Sequence, residues 1–320
     1  MPTKASQVMS GDTSACDVHL DGAGQLIKHL WNKKKKLSEK TRGLNRIYCY
    51  LRIIWESTNF KRRRECAPSS SQNVMQDFET SQPPESVFTA VGERPSSNSA
   101  NLQTSALSEI SEMATFECIY GIPQDLFAVI EEVLKVSDLI AQANATAGSN
   151  NVPDDLIASC DKLEQDILNW PVEESLAHCL QASTNVSEEI VRHQTKSFHS
   201  ALVIFFSQHV RLLDHRYLRH YVEDILQSIE TIELIKTNTN ILAAPLFWPA
   251  FIAATEAFDP QQQTRFRKWY EDVESYGIAA VRTGTRVIHE VWRLGPPQGR
   301  PLVSRWRQVV IDTGTSLMLS

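Results

Sequence analysis

Apolar residues recur at intervals of three and four over most of this chain, the spacing that places them on one face of an α-helix. The first predicted helix carries Leu26, Ile27, Leu30 and Trp31 on such a face. Ser38 is the expected N-cap of the second helix, because its hydroxyl can accept from the free N–H groups of a first turn. The second helix carries six apolar residues at helical spacing: Leu44, Ile47, Tyr48, Leu51, Ile54 and Trp55.

The same period returns after residue 120 and continues through the middle of the chain. Pro123 opens one predicted helix and Pro153 opens the next, because proline fits the first turn of a helix. Pro171 ends that second helix, since proline interrupts a helix interior. Two long helices are then expected over residues 187–213 and 218–232.

Residues 241–258 are apolar on every side, so we expect this segment to form the most buried helix of the protein. Pro245 and Pro249 place a helix start or a kink near its front. No alternating strand pattern and no fixed repeat period occurs, which predicts an all-α, multi-helix domain. Three further helices are expected, ending at Gly277, ending at Gly295, and spanning residues 303–319.

Charge is distributed unevenly along the 320 residues. Residues 28–64 hold thirteen Lys and Arg against two acids, Glu39 and Glu56, so their net charge is +11. Because the whole chain carries −6, the remaining residues carry −17. This block is either a nuclear-import or phosphate-facing patch, or the solvated ends of two helices. No aromatic residues interleave with its basic clusters, which disfavours nucleic-acid contact. The expected import signals are Lys33, Lys34, Lys35, Lys36, Lys61, Arg62, Arg63 and Arg64.

A change of composition follows the second predicted helix. Residues 61–108 are rich in Ser and Pro and poor in periodic apolar residues, so they cannot bury enough surface to offset their ordering entropy. We expect a long disordered insertion there. The predicted organisation is an N-terminal remnant over residues 1–13 and one helical domain over residues 14–320. The longest fully apolar run near the middle, residues 201–206, is far short of a membrane span.

Residue types that carry chemistry are present but not arranged for it. The six cysteines are scattered, whereas zinc sites use closely spaced pairs. Five histidines within one stretch show no i, i+4 pairing and are expected on helix surfaces. These residues are Cys16, Cys49, Cys66, Cys118, Cys160 and Cys179, and His193, His199, His209, His215 and His220.

Two acidic motifs resemble enzyme signatures. Residues 312–316 spell the Asp-Thr-Gly-Thr-Ser of aspartic proteases, but the motif is single and follows a helical pattern rather than β-structure. Asp154 and Asp155, with Asp161, could bind metal and diphosphate in an all-helical enzyme, although acids in a first turn are expected from the helix dipole alone. The sequence therefore predicts no enzyme. The alternatives are a diphosphate- or lipid-processing enzyme and a helical scaffold.

Several blocks, in order, resemble those of one family. They are HLDGAGQLI with Asp21, YLRIIWESTNF with Tyr50, CIYGIPQDLF with Tyr120, APLFWPAFIAATEA with Trp248, FRKWYEDVESYGIAAV with Trp269, and VIHEVWRL with Trp292. Together they resemble the fungal-specific transcription factor domain of binuclear zinc-cluster regulators, particularly regulators similar to those of arginine metabolism. The resemblance covers nearly the whole chain.

The resemblance implies an all-α regulatory domain that acts in the nucleus on transcription by RNA polymerase II. The implied partners are transcriptional co-regulators or a DNA-binding partner, in a homo- or heterodimer, with no membrane. The family's six-cysteine zinc cluster has no counterpart here, so zinc is expected only in that missing segment and no direct DNA contact is assigned. We therefore expect a truncated gene product or a regulator without its own DNA-reading segment, located in the cytoplasm if import is lost.

Overall fold

Helices account for the regular structure of the described part of the chain. The computed structural model describes residues 16–33, 38–59, 122–147, 153–179, 185–278, 281–297 and 303–319. No strand occurs within these ranges, which confirms the all-α prediction. They contain eleven α-helices: α1 (Cys16–Lys33), α2 (Glu39–Thr58), α3 (Gln124–Ala147), α4 (Asp154–Leu168), α5 (Val172–Cys179), α6 (Asn185–Phe206), α7 (His215–Thr239), α8 (Phe247–Ala254), α9 (Pro260–Glu274), α10 (Val281–Leu294) and α11 (Arg305–Thr313). The insertion expected over residues 61–108 lies outside the described residues.

Helix starts follow the capping residues of the sequence. The Ser38 hydroxyl accepts from the Thr41 backbone N–H at 3.3 Å, as the sequence predicts. Asp214 and Asp259 cap α7 and α9 in the same way. Each of these side chains satisfies a backbone donor that has no partner inside its own helix.

Helix α6 is at the centre of the fold. It contacts α3, α4, α5, α7 and α8. Its C-terminal half is buried on all sides, from Ala201 to Phe206. Helix α8 packs against α6, α7, α9 and α10, and all eight of its residues are buried. The prediction of a fully buried helix in residues 241–258 is therefore confirmed for 247–254, but it was wrong for 241–246, which lie outside any helix and include Leu242, 96% exposed.

Two helices end earlier than the sequence predicts, and one short helix was not predicted. Helix α6 stops at Phe206 and continues as a π-helical turn, Ser207–Arg211, which ends at Leu212 with φ +52°. The last helix ends at Thr313, because Gly314 adopts φ +62° and turns the chain away from the helix. Leu317, Met318 and Leu319 then run outside any helix and are buried. Helix α5 was not predicted, because its eight residues are too few to show a periodic pattern.

Candidate functional site

The basic residues expected to direct nuclear import are only partly inside the described structure. Lys33 is the last residue of α1 and is exposed. Lys34, Lys35, Lys36, Lys61, Arg62, Arg63 and Arg64 lie outside the described residues. Their role in import stays a prediction from the sequence.

Helices α1 and α2 form a hairpin whose register is fixed by three sets of contacts. Arg52 Nη1 lies 2.5 Å from Asp21 Oδ1. One turn further along the hairpin, Tyr48 packs so closely on Gly24 that a Cβ atom there would clash with its hydroxyl. Increasing residue numbers in α1 therefore face decreasing numbers in α2, so the helices are antiparallel. At the end where α1 begins and α2 ends, Cys16, Leu20, Trp55 and Met318 form a small buried cluster.

The opposite end of this hairpin, where α1 ends and α2 begins, leaves apolar side chains in solvent. Leu44 lies one turn before Tyr48, so the register places it beside the turn of α1 that follows Gly24. Leu26 is 60% exposed and Leu44 is 66% exposed. Single exposed leucines are ordinary, but a group of them marks a surface that can bind another molecule. The hairpin patch is defined here as Leu26, Ile27, Leu30, Leu44 and Ile47, none of which is buried.

Two lysines of α1 have no carboxylate partner among the described residues. Lys28 and Lys33 are exposed, and neither forms an ion pair with any residue that the structure describes. Between residues 22 and 47 the sequence holds eight Lys and Arg and one acid, Glu39. Several cations elsewhere on the described surface face carboxylates, in the pairs Arg192–Glu173, Lys196–Asp224, Arg219–Asp259, Arg282–Glu274 and Arg293–Glu290.

The acids singled out in the sequence do not gather around a cavity. Asp154, Asp155 and Asp161 are exposed, and Asp161 pairs with Arg211 at 2.5 Å. The diphosphate-enzyme alternative thus loses the residues on which it depends. Asp312 is exposed near the end of α11, and Gly314 of the protease-like motif is the C-cap of that helix.

The five histidines have separate surroundings, and one prediction about them was wrong. His209 is buried rather than on a helix surface, with Nδ1 2.7 Å from the Phe205 carbonyl oxygen. The π-helical turn adds a residue to the turn and rotates the following side chains, which brings His209 against Phe205 and Trp306. Burial lowers the pKa of His209 well below its usual value. His193 contacts Ser228, and His199 contacts the Ile167 carbonyl oxygen. His215 packs on Phe258 and His220 on Tyr221.

A buried polar network crosses the core at the π-helical turn. Gln208 Nε2 donates to Glu256 Oε1 at 2.8 Å and to Thr255 Oγ1 at 3.3 Å. Trp306 Nε1 donates to Gln208 Oε1 at 3.0 Å, so one amide joins the π-helical turn, the end of α8 and α11. Burial raises the pKa of Glu256 to about 7, against the lowering effect of the hydrogen bond from Gln208. The sequence gives no sign of this network, because its members are far apart in the chain.

The surroundings of Trp248 are filled by other side chains. Trp248 is fully buried, stacks on Phe198 with ring centroids 5.8 Å apart, and contacts Phe205. Its Nε1 donates to Ser57 Oγ at 2.8 Å, which ties α8 to α2. The apolar character of this helix is thus explained by packing rather than by a bound effector.

An open groove of about 580 Å³ lies between α7 and α9. Its charges are largely paired within the wall, with Arg219 2.8 Å from Asp259 and Arg265 2.5 Å from Glu223. Arg265 also binds Glu230 at 2.6 Å. A charged ligand would have to displace these pairs, so the groove is better explained as a salt-bridged helix interface.

Among the described residues, no group of three His, Cys, Asp or Glu could hold a metal ion. No helix of this part of the chain combines the length and the apolar character that a bilayer crossing needs. Cys16, Cys49 and Cys160 are buried and carry reduced thiols. Burial raises the pKa of Cys49 to about 12, which keeps its thiol protonated and unreactive.

Comparison with known proteins gives a consistent result. A family model described as the fungal specific transcription factor domain matches residues 5–320. Arginine metabolism regulation protein II of Saccharomyces cerevisiae is 21% identical over 369 aligned residues, which include 98% of this chain and 42% of that protein. The chain thus spans less than half the length of this relative. No solved structure matches it.

Proposed function

Because this chain belongs to the fungal-specific transcription factor domain family, we propose that it is the regulatory domain of an RNA polymerase II transcription factor of the zinc-cluster type. The observation that carries the proposal is the match of the family model over residues 5–320, which includes every described helix. The relative named as a regulator of arginine metabolism, aligned over 98% of the chain, adds support.

The mechanism proposed is binding of partner proteins by the outer surfaces of a packed helical core. The cysteines of this sequence are not clustered, so DNA contact is assigned to a partner protein or to another segment rather than to these residues. The helical core supplies the rigid support that a binding surface needs, since α8 and the C-terminal end of α6 are buried on all sides.

Chromatin association tests this proposal. The tagged chain is followed by chromatin immunoprecipitation in cells that contain or lack a full-length paralogue with a zinc cluster. Enrichment at the sites of the paralogue, lost when the paralogue is deleted, is expected. A chain that stays off chromatin in both strains is a scaffold unconnected with transcription, and the proposal is then wrong.

Nuclear location is proposed to depend on the two basic blocks, residues 33–36 and 61–64. Replacing all eight residues with alanine should abolish nuclear accumulation of the tagged chain, measured by fluorescence microscopy. The matched control exchanges Lys for Arg and Arg for Lys in the same blocks, which keeps the charge and should keep the chain nuclear. Unchanged location of the alanine variant would reject this role.

A further inference from the structure

The C-terminal tail, defined here as residues 315–319, is held by the fold without belonging to a helix. Leu317, Met318 and Leu319 expose only 0%, 1% and 2% of their surface. None of the three makes a backbone–backbone hydrogen bond with another described residue, so the tail can leave its place without breaking a helix. We propose that the tail occupies a recognition groove for extended apolar peptides, and that a partner segment of the same pattern binds by displacing it.

The backbone of the tail is bound by one side chain, Asn59. Its Nδ2 donates to the Leu317 carbonyl oxygen at 2.9 Å, and its Oδ1 accepts from the Leu317 N–H at 3.3 Å. A side-chain amide carries a donor and an acceptor side by side, so it pairs with the C=O and N–H of one residue, whatever side chain that residue carries. Asn59 is fixed for this task by its bond to the Trp55 carbonyl oxygen at 2.8 Å.

Successive side chains of the tail enter opposite walls of the groove, as they do in an extended segment. Leu317 and Leu319 join the central cluster, whereas Met318 joins the small cluster between α1 and α2. The seat of Leu319 is closely fitted, because a Cβ atom at Gly284 would lie 3.0 Å from its Cδ2. Bonds to the main chain combined with seats for alternate side chains are a general mode of recognising extended peptides. The groove therefore fits a segment with leucine at two alternate positions and an unbranched apolar residue between them.

Occupancy of the groove controls how firmly α1 is held. Cys16 and Leu20 are the buried side chains of α1 among those that the structure describes, and both belong to the cluster that Met318 completes. An empty groove leaves a space beside them, so α1 should open more often. A partner segment that takes the place of the tail fills this space again.

The chain's own tail competes with any outside segment. Thr315 follows the last residue of α11 by two positions, so the connection between helix and groove is short. A short connection gives a tethered ligand an effective concentration of about millimolar. An outside peptide must exceed this concentration or meet a weakened tail, which makes the contact autoinhibitory.

Fluorescence polarisation on the full chain tests the proposal. The probe is a labelled peptide with the sequence of residues 314–320, Gly-Thr-Ser-Leu-Met-Leu-Ser. A Leu317→Ala, Leu319→Ala variant has a weakened tail and intact groove walls, so it should bind the probe at least about tenfold more tightly than the wild type. The matched control, Leu234→Ala with Leu242→Ala, removes leucines that are 61% and 96% exposed and should bind as weakly as the wild type.

Specificity for the groove is tested on the variant with the weakened tail. A probe with Ser at both leucine positions should bind it at least about tenfold more weakly. Adding Gly284→Ala narrows the seat of Leu319 and should weaken binding of the intact probe several-fold. Adding Gly22→Ala, where a Cβ atom would meet nothing within 4 Å, should leave binding unchanged.

Hydrogen exchange of the wild type gives a measurement that needs no variant to fold. Unlabelled peptide at or above about millimolar concentration should speed exchange of the tail amides about twofold or more, while the amides of α1 stay protected. In the variant with the weakened tail, exchange in α1 should be faster than in the wild type, and the peptide should slow it again. Circular dichroism shows whether that variant retains its helices; if it does not, exchange in the wild type decides.

Four outcomes overturn the proposal. They are equal binding of the intact and Ser-substituted probes, binding by a folded variant with the weakened tail that is no tighter than wild-type binding, tail exchange in the wild type that the peptide does not change, and a wild-type dimer that the tail substitutions abolish. The last would assign the groove to the tail of a second copy of this chain. Each can occur whether or not the chain associates with chromatin, so failure here and failure of the proposed function are distinguishable.

Discussion

Asn59, the last described residue after α2, holds the C-terminal tail by its side-chain amide. Its Nδ2 donates to the Leu317 carbonyl oxygen at 2.9 Å, and its Oδ1 accepts from the Leu317 backbone N–H at 3.3 Å. Asn59 also donates to the Trp55 carbonyl oxygen and accepts from the Ser316 hydroxyl. One side chain thus satisfies backbone groups in two segments that are 258 residues apart.

Replacing Asn59 with alanine should therefore destabilise the protein by about 2–4 kcal/mol, because buried backbone groups of Leu317 and Trp55 lose their partner. Urea denaturation followed by circular dichroism measures the change in the free energy of unfolding. Asn169→Ala, at the exposed end of α4, is the control and should change it by less than about 0.5 kcal/mol. An Asn59→Ala variant as stable as the control would show that the tail is not held in this way.

Glu256 gives the protein a pH dependence of known sign. Its folded-state pKa of about 7 lies above the ordinary value of 4.5, so the folded state holds the proton more tightly than the unfolded state. Stability contributed by the protonated form is complete below pH 4.5 and is lost as the pH rises to about 7. His209, whose pKa is lowered by burial, acts in the opposite direction as the pH falls.

The Glu256→Gln variant separates these two effects. It cannot ionise, so at pH 8 it should be more stable than the wild type by about 1–3 kcal/mol, and this advantage should vanish towards pH 4.5. Denaturation curves at a series of pH values measure the difference. The control is Glu174→Gln at an exposed position on α5. A constant difference between Glu256→Gln and wild type at every pH contradicts the assignment.

At the scale of elements, helical periodicity and capping residues predict where most helices lie. Ser38 and Pro153 have the predicted roles, and the apolar run at 241–258 contains the predicted buried helix over residues 247–254 only. Periodicity tells which residues share a face but not whether another element covers that face, which is why the exposure of Leu26 and Leu44 could not be foreseen. The π-helical turn and the polar network around Gln208 depend on long-range packing, which leaves no local signal.

Two glycines of α1 provide a matched test of the hairpin. A Cβ atom at Gly24 would meet the Tyr48 ring and hydroxyl, whereas a Cβ atom at Gly22 would meet nothing within 4 Å. Gly24→Ala should lower the free energy of unfolding by about 1–3 kcal/mol and speed hydrogen exchange in α1, because the hairpin must open. Gly22→Ala should raise it by up to about 1 kcal/mol through helix propensity. Equal effects of the two substitutions would contradict the hairpin packing.

At the scale of the whole molecule, a packed helical body carries a basic hairpin on an otherwise acidic chain. The central cluster ties together helices from α2 to α11, whereas α1 belongs to the small cluster with Trp55 and Met318. Resemblance to a family could be read from short blocks in the sequence, because those blocks supply core residues such as Trp248. The binding surfaces could not, since they depend on which faces the fold leaves uncovered.

The measurement that tests the central claim most directly is transcription from a reporter gene to which the chain is tethered. The full chain is fused to an unrelated DNA-binding domain, with a nuclear-import signal supplied, and reporter output is compared with that of the DNA-binding domain alone. A regulatory domain should raise or lower the output, and Trp248→Asp, which destroys the core, should abolish the change. Output equal to that of the DNA-binding domain alone, from a folded and nuclear fusion, would contradict the account.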